Sequence, residues 1–388
     1  MYACFYAEDD PLPDIAAMLS GEIPPPTEVR LGALAVLTGQ RHRLNRSELD
    51  VLLSVPADRW TELDSPPSEA IRALLAKGLL VSDSDDPALA PLRDRDEALT
   101  DNQWNLYSAL YHYMTQWGGL ELTEGELDPA ELSESSRSVA KAHVARYGPP
   151  PSAFAEHNGT REIPLPGAER QSPLFRTLLA RRTTRSFDSI SPMALDELDA
   201  VLRYVFGCHG YARNAADVVC IKRTSPSGGG LHPVEAYPII SNVTDVPPGI
   251  YHYNAQRHSL TMLESLDISE ARRLATFFMC GQKYFGMAHA TFILTARFDR
   301  NQWKYRRHQK AYAGILMDAA HLSQTLYLAA AELALGAFVT LALNSRDIEE
   351  RLALDGVKEG VIAAIGCGRP APGQSPLELS FSSEPPEV

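Results

Sequence analysis

This chain lacks cysteine pairs at metal-ligand spacing, an excess of positive charge, and any long apolar run free of polar groups. Each absence removes a class of function. The five cysteines, Cys4, Cys208, Cys220, Cys280 and Cys367, are scattered with no C-x-x-C among them. That pattern excludes a disulfide framework and a cysteine zinc site, and reads as reduced thiols in a cytoplasmic protein. With 36 Lys and Arg against 49 Asp and Glu, the formal net charge is -13. General nucleic-acid binding needs a basic footprint, so no nucleic-acid partner is expected. The most apolar stretch, residues 314–343, carries Asp318, His321, Gln324 and Glu332. It suits a buried helix better than a membrane span. Met1–Asp10 has neither the basic nor the apolar part of a signal peptide. No internal repeat is present. His308, His321 and Gln324 lack a further ligand at convincing spacing, so no metal is expected. Asn158-Gly159-Thr160 is a formal glycosylation sequon without meaning in a cytoplasmic chain.

What is present is a globular composition, 45% apolar over 388 residues, long enough for two or three domains. Pro and Gly crowd residues 147–172, which reads as a linker or extended arm. The expected division is an N-terminal helical, winged-helix-like domain (1–146), this linker (147–172), an α+β domain (173–375) and a tail (376–388). Within the first, Leu31, Leu34, Ala35 and Leu37 suggest one helix face. Asn45 can cap a second helix carrying Leu49, Leu52 and Leu53. Asp64-Ser65-Pro66-Pro67 signals a third, ended by Lys77-Gly78, with Leu79–Val81 as a short strand. Trp104, Tyr107, Leu110, Tyr111 and Met114 fall at helical spacing and are expected in a core. The basic residues Arg41, His42, Arg43 and Arg46 sit among acidic neighbours, which favours peptide binding or scaffolding over DNA.

In the second half helices and strands alternate. Helices are expected at Leu174–Leu179, Leu195–Phe206 and Met317–Leu335, the last ended by Gly336. Strands are expected at Ala236–Ser241, Gly249–Asn254, Ala290–Phe298 and Val361–Ile365.

Two segments point to chemistry. Ser225-Pro-Ser-Gly-Gly-Gly-Leu-His-Pro233 cannot be regular structure. Glycine takes positive φ and admits a ligand close to the backbone. Upstream, Arg181-Arg-Thr-Thr-Arg-Ser-Phe187 supplies guanidinium groups and hydroxyls, which suit a phosphate.

These two segments, with PPGIYHYN (247–254), WKY (303–305), MDAAHLSQTLYLAAAELALGA (317–337) and AIGCGRP (364–370), resemble the nitroreductase-like flavoprotein superfamily. More narrowly they resemble the SagB-type dehydrogenases, which include azoline oxidases that mature ribosomally made peptides. The resemblance covers about residues 170–370. It implies an α+β, nitroreductase-like FMN-binding sandwich, usually an intertwined homodimer with flavins at the interface. Arg181, Thr183 and Arg185 match the segment that holds the phosphate and ribityl chain. Pro226, Ser227, Gly228 and Gly230 match the loop that packs on the flavin from the other subunit. Leu341, Ala342 and Leu343 match the loop facing the reactive edge of the flavin. Gly368 and Arg369 match a region returning to the phosphate, where common relatives often carry a longer Lys/Arg pair further on.

The resemblance also implies a catalytic Lys-Tyr pair, and Lys304-Tyr305 matches by its place before the long helix. Oxidising a thiazoline or oxazoline removes a hydride and a proton from adjacent carbons, so a base is required. Arg306, Arg307 and burial are expected to lower the pKa of Lys304, while Tyr305 orients substrate or relays the proton. Lys283-Tyr284 is the reserve pair. The expected function is FMN-dependent dehydrogenation of azoline rings in a modified precursor peptide, with other peptide-maturation enzymes as partners. The alternatives are an NAD(P)H-dependent reductase of a dehydroamino acid, ene or nitro compound, and a non-catalytic peptide-recruiting scaffold.

Overall fold

The computed structural model describes residues 3–8, 30–56, 59–63, 66–121, 129–154, 163–166, 170–215, 217–373 and 375–378. The helix start at Asp64-Ser65, the sequon at Asn158, and parts of the expected linker and tail lie outside the described residues. The chain folds as two compact units that are discontinuous in sequence. The first takes Met1–Gln116, Phe298–Ala313 and Asp355–Glu359. The second takes Trp117–Arg297, Gly314–Leu354 and Gly360–Val388.

The first unit opens with a three-stranded antiparallel sheet, β1 (Ala3–Glu8), β2 (Arg30–Ala35) and β3 (Gln40–Arg43). This corrects the helix expected over Leu31–Leu37. Ala33, Leu34 and Ala35 are buried in succession, as in a strand covered on both faces. Gly32 lies against the Tyr6 ring, where a Cβ would clash.

Helix α1 (Arg46–Ser54) starts as expected, with Asn45 and Glu48 forming a reciprocal capping box. Helix α2 (Glu69–Ala76) is capped by Ser68, not by the upstream Asp-Ser pair. Its end explains why Leu79–Val81 is not a strand. Gly78 takes φ 62°, its N–H donates to Leu75 O, and Leu79 N–H donates to Leu74 O. That is a Schellman closure, and it turns Leu79 and Leu80 into the core.

Helices α3 (Ala90–Asp101) and α4 (Leu106–Thr115) follow. The aromatic stripe is only partly core. Trp104 is 1% exposed, but Tyr107 and Tyr111 are 66% and 55% exposed. The buried face of α4 is instead Ser108, Ala109, His112 and Tyr113. His112 and Tyr113 can turn inward because each finds a polar partner there: Nδ1 of His112 is 3.0 Å from Tyr312 Oη, and Tyr113 Oη donates to Gly356 O. Trp104 Nε1 donates to Val357 O at 2.9 Å, and its ring packs edge-on to Phe298.

The second unit is α+β. Helix α5 (Pro129–Tyr147) precedes α6 (Pro173–Ala180), which Ser172 caps. Helix α7 (Leu195–Val201) continues into a π-turn, Leu202–Phe206. A hairpin, β4 (Gly210–Arg213) with β5 (Val219–Lys222), follows.

The central sheet has six strands in the order β10-β11-β9-β6-β7-β8. They are β6 (Val234–Ile240), β7 (Gly249–Asn254), β8 (Ser259–Ser265), β9 (Ala290–Arg297), β10 (Gly336–Thr340) and β11 (Glu359–Gly368). Between them lie α8 (Ile268–Phe278), α9 (Lys283–Gly286), α10 (Phe298–Tyr305, in the first unit), α11 (Ala311–Glu332) and α12 (Ser345–Arg351).

Alternation along β9 sorts the core. Ala290, Phe292 and Leu294 pack with α7 and with Ala319, Leu322, Leu326 and Ala330 of α11. Ile293 faces the opposite layer, with Ala271, Ala275 and Phe278 of α8 and Ile348 of α12. A strand buried on both faces reads as a continuous apolar run, which is why β9 is visible in the sequence. Gly336 does not end the long helix. Ala334, at φ 55°, ends it, and Gly336 starts β10 against Thr184.

Candidate functional site

Two buried residues anchor the Arg-Thr segment. Thr184 is buried and donates its N–H to Ala337 O. Phe187 is buried and bridges to Pro370. Arg181, Thr183 and Arg185 are each half-buried. The Arg181 guanidinium lies 5.4 Å from the centre of the Tyr327 ring, and Thr183 Oγ1 is 3.0 Å from Tyr327 Oη. The Arg185 guanidinium lies 6.0 Å from the Phe285 ring, which stacks on Phe338. Its backbone N–H donates to Glu378 Oε1 at 2.7 Å. A cavity of about 280 Å³ adjoins this segment, lined by Arg182, Tyr327, Leu335 and small side chains of α11 and β10. Sequence reasoning passed over Arg182, Tyr327 and Glu378.

The glycine loop lies on α11. Asp318 Oδ2 accepts from Ser227 Oγ at 2.5 Å, and Oδ1 accepts from Gly228 N–H at 3.0 Å. Ser225 Oγ is 2.6 Å from Thr325 Oγ1. Pro226 and Gly228 are exposed. A side chain at Gly228 or Gly230 would meet no heavy atom within 4 Å, so the loop offers an open backbone face. Asp318 is the residue sequence reasoning missed here, since it served there only as a polar mark against a membrane span.

The 341–343 loop is partly committed. Leu343 is core, Ala342 N–H donates to Thr340 Oγ1, and Leu341 is 73% exposed. Thr340 Oγ1 donates to Gln282 Oε1, beside α9. The reserve pair is therefore in the second unit. Lys283 is exposed, and Tyr284 packs edge-on to Phe285, the ring beneath Arg185.

Two expected phosphate residues have other duties. Arg369 Nε donates to Pro192 O, and Nη2 lies 3.1 Å from Glu197 Oε2. It fastens the start of α7. Gly368 is buried against His289, where a Cβ would collide. Its glycine is required by packing. Burial lowers the pKa of His289 and pushes the Cys367 thiol up to about 12, so neither is a ready proton carrier near pH 7.

Lys304 and Tyr305 close α10 and belong to the first unit, whereas every cofactor residue named above belongs to the second. Lys304 is exposed, not buried as expected, and its Nζ lies 5.6 Å from the Tyr305 ring centre. Among the described residues no group of three His, Cys, Asp or Glu could hold a metal ion, and no helix is long and apolar enough to cross a membrane.

Half-buried guanidinium groups and a hydroxyl on one segment, and an open glycine backbone on another, suit a phosphorylated cofactor. Comparison with known proteins agrees at the level of the family. Residues 178–369 match the model of the nitroreductase family. A candidate nitroreductase of Methanocaldococcus jannaschii, MJ1384, is 29% identical over 210 residues, covering 54% of this chain and 97% of that protein. The trifolitoxin-processing protein TfxB of Rhizobium leguminosarum bv. trifolii is 29% identical over 177 residues. That match covers 45% of this chain and 46% of TfxB, so the chain spans less than half of that relative. Among solved structures, a chain of the E. coli microcin synthetase McbBCD complex with truncated pro-MccB17 bound is 17% identical. It covers 62% of this chain and 94% of that chain, with a TM-score of 0.40.

Proposed function

We propose that this protein is an FMN-dependent oxidoreductase that dehydrogenates thiazoline or oxazoline rings in a ribosomally made precursor peptide. The observation that carries the reading is the half-buried trio of Arg181, Thr183 and Arg185, backed by the open loop Ser225–Pro233. The name of TfxB, a toxin-processing protein, supports a peptide as substrate.

In this reading Arg181, Thr183 and Arg185 would hold the phosphate and ribityl chain of FMN. Leu341 and Ala342 would face its reactive edge. FMN supplies a two-electron acceptor for the hydride, and O₂ restores it. Lys304 takes the proton released from the neighbouring carbon, and Tyr305 orients the ring. Hydride and proton together account for the two hydrogens lost when an azoline becomes an azole. The first unit, with its sheet β1–β3, recruits the peptide.

Long helix α11 supports a homodimer. Tyr327, under Arg181 and Thr183, and Asp318, under the glycine loop, are nine residues apart. At about 100° per residue they stand about 180° apart around the helix. One flavin would then be held at its phosphate by one protomer and covered by the glycine loop of the other. The reductase reading draws on the M. jannaschii match, which spans nearly the whole of that protein. One experiment separates the two. Incubation with a thiazoline-bearing peptide in air should remove two hydrogens per ring by mass spectrometry. No mass change, together with NAD(P)H-driven reduction of a dehydroamino acid or nitro compound, would replace oxidation with reduction.

A further inference from the structure

Asp318 is the only acidic residue between Ala311 and Ala331 of helix α11, and it is 5% exposed. A carboxylate in such a place costs free energy unless its oxygens are satisfied. Both are satisfied by the glycine loop: Ser227 Oγ–H on Oδ2 and Gly228 N–H on Oδ1. Ser227 Oγ in turn accepts the N–H of His232 at 2.8 Å. One carboxylate thus ties both the beginning and the end of the loop to the helix.

The loop needs such a tie. Gly229, Gly230 and His232 take φ of 65°, 69° and 49°. For His232, a non-glycine followed by Pro233, that conformation is strained and persists only where its surroundings enforce it. The enforced shape turns the open sides of Gly228 and Gly230 away from protein atoms. A carboxylate serving only to fill the core would not spend both oxygens on an exposed loop.

We propose that Asp318 is a positioning residue that acts through Ser227 to hold the glycine loop in the shape that receives the cofactor. This rests on the FMN reading above. Asparagine can imitate the latch, since its Oδ1 accepts from Gly228 and its Nδ2 donates to Ser227 Oγ. Alanine cannot.

The test uses the full chain, freed of cofactor, as Asp318→Ala, Asp318→Asn and Ser227→Ala. Hydrogen exchange of the peptide spanning Ser225–Pro233 reads the loop, and fluorescence titration with FMN reads the site. Asp318→Ala and Ser227→Ala should speed loop exchange about 10-fold or more and weaken FMN about 10- to 100-fold, the size expected of a charge-assisted hydrogen bond. Asp318→Asn should stay near wild type in both. If Asp318→Ala does not fold, Ser227→Ala carries the comparison, because that side chain lies on the loop. Unchanged loop exchange in a folded variant would overturn the proposal, as would an Asn variant as impaired as Ala. Faster exchange with unchanged FMN affinity would also overturn it, while leaving the FMN reading to stand on Arg181. If wild type binds no FMN at all, the FMN reading fails and loop exchange alone still tells whether Asp318 sets the loop.

Discussion

Asp318 and Tyr327 point to opposite sides of the same helix, one holding the glycine loop and the other lying against the Arg-Thr segment. In the proposed FMN reading, the two motifs of one chain would therefore serve different flavins. Light scattering should therefore give a dimer that holds two flavins. Mixing Arg181→Ala with Gly230→Leu, each defective in a different half, should restore up to one working site per mixed dimer. A stable monomer that retains FMN would refute this.

Arg181→Ala should weaken FMN by roughly 1.5–3 kcal/mol, about 10- to 150-fold in Kd. The expected chromophore is noncovalent FMN, identified by chromatography after denaturation. Release of FAD, or no uptake of any flavin, would remove the cofactor assignment.

Lys304→Ala should keep FMN and the dimer yet slow ring oxidation by about 10²–10⁴, the usual worth of a general base. Lys304→Arg should fail as well, because a guanidinium does not give up its proton at working pH. Tyr305→Phe should lose less. Lys283→Ala should be nearly neutral. The position of Lys283-Tyr284 beside Phe285 and Arg185 makes this control informative. A dead Lys283→Ala with an active Lys304→Ala would transfer the role to the reserve pair.

Acid should weaken the first unit through His112. Burial holds its pKa down at about 3, against about 6.5 in an unfolded chain. Above pH 6.5 both states are neutral and the stability is intact. Below it the unfolded state takes up a proton that the folded state refuses. Stability should then fall by about 1.4 kcal/mol per pH unit down to about pH 3. Trp104 lies 5.4 Å from His112, so tryptophan fluorescence during urea unfolding should report the loss. His112→Gln should flatten this acid limb, and an equally steep limb in that variant would acquit His112.

The full chain should bind a precursor leader peptide but not duplex DNA at ~0.15 M salt, where weak surface attraction is screened. A net charge of -13 opposes a polyanion. The arginines of the first unit are moreover partly neutralised, as Arg46 is by Asp50. Tight DNA binding with a steep salt slope would count against the peptide reading.

The sequence disclosed those parts of the molecule whose cause is local. β9 is apolar over most of its length, Asn45 carries its own capping partner, and the triple glycine, with Gly229 at positive φ, forms only a single tight turn. Strands β1–β3 were hidden because Gly32 packs on Tyr6 and Ala33 and Ala35 pair with Phe5 and Ala3, all distant in the chain. β8 was hidden by an exposed, mixed pattern, and β10 by its resemblance to the end of a helix. The same division holds at the site. Arg181 and Gly230 are conspicuous as residue types. Asp318 is one acid in an apolar helix, and its meaning depends on Ser227, 91 positions earlier. The second task of Arg369 depends likewise on Glu197.

The hydrogen bond from Trp104 to Val357 spans 253 positions, and that from Tyr113 to Gly356 spans 243. On a ribosome adding about 5–20 residues per second, the indole emerges roughly 12–50 s before its acceptor exists. Phe298 and Tyr312, which complete the aromatic cluster, arrive late as well. The first part of the chain to be made is therefore among the last to be finished. Until then the Trp104 ring and His112 stand open to solvent, which leaves this unit prone to aggregation during synthesis. A ribosome that stalls in the second half of the message would release a polypeptide with neither unit complete.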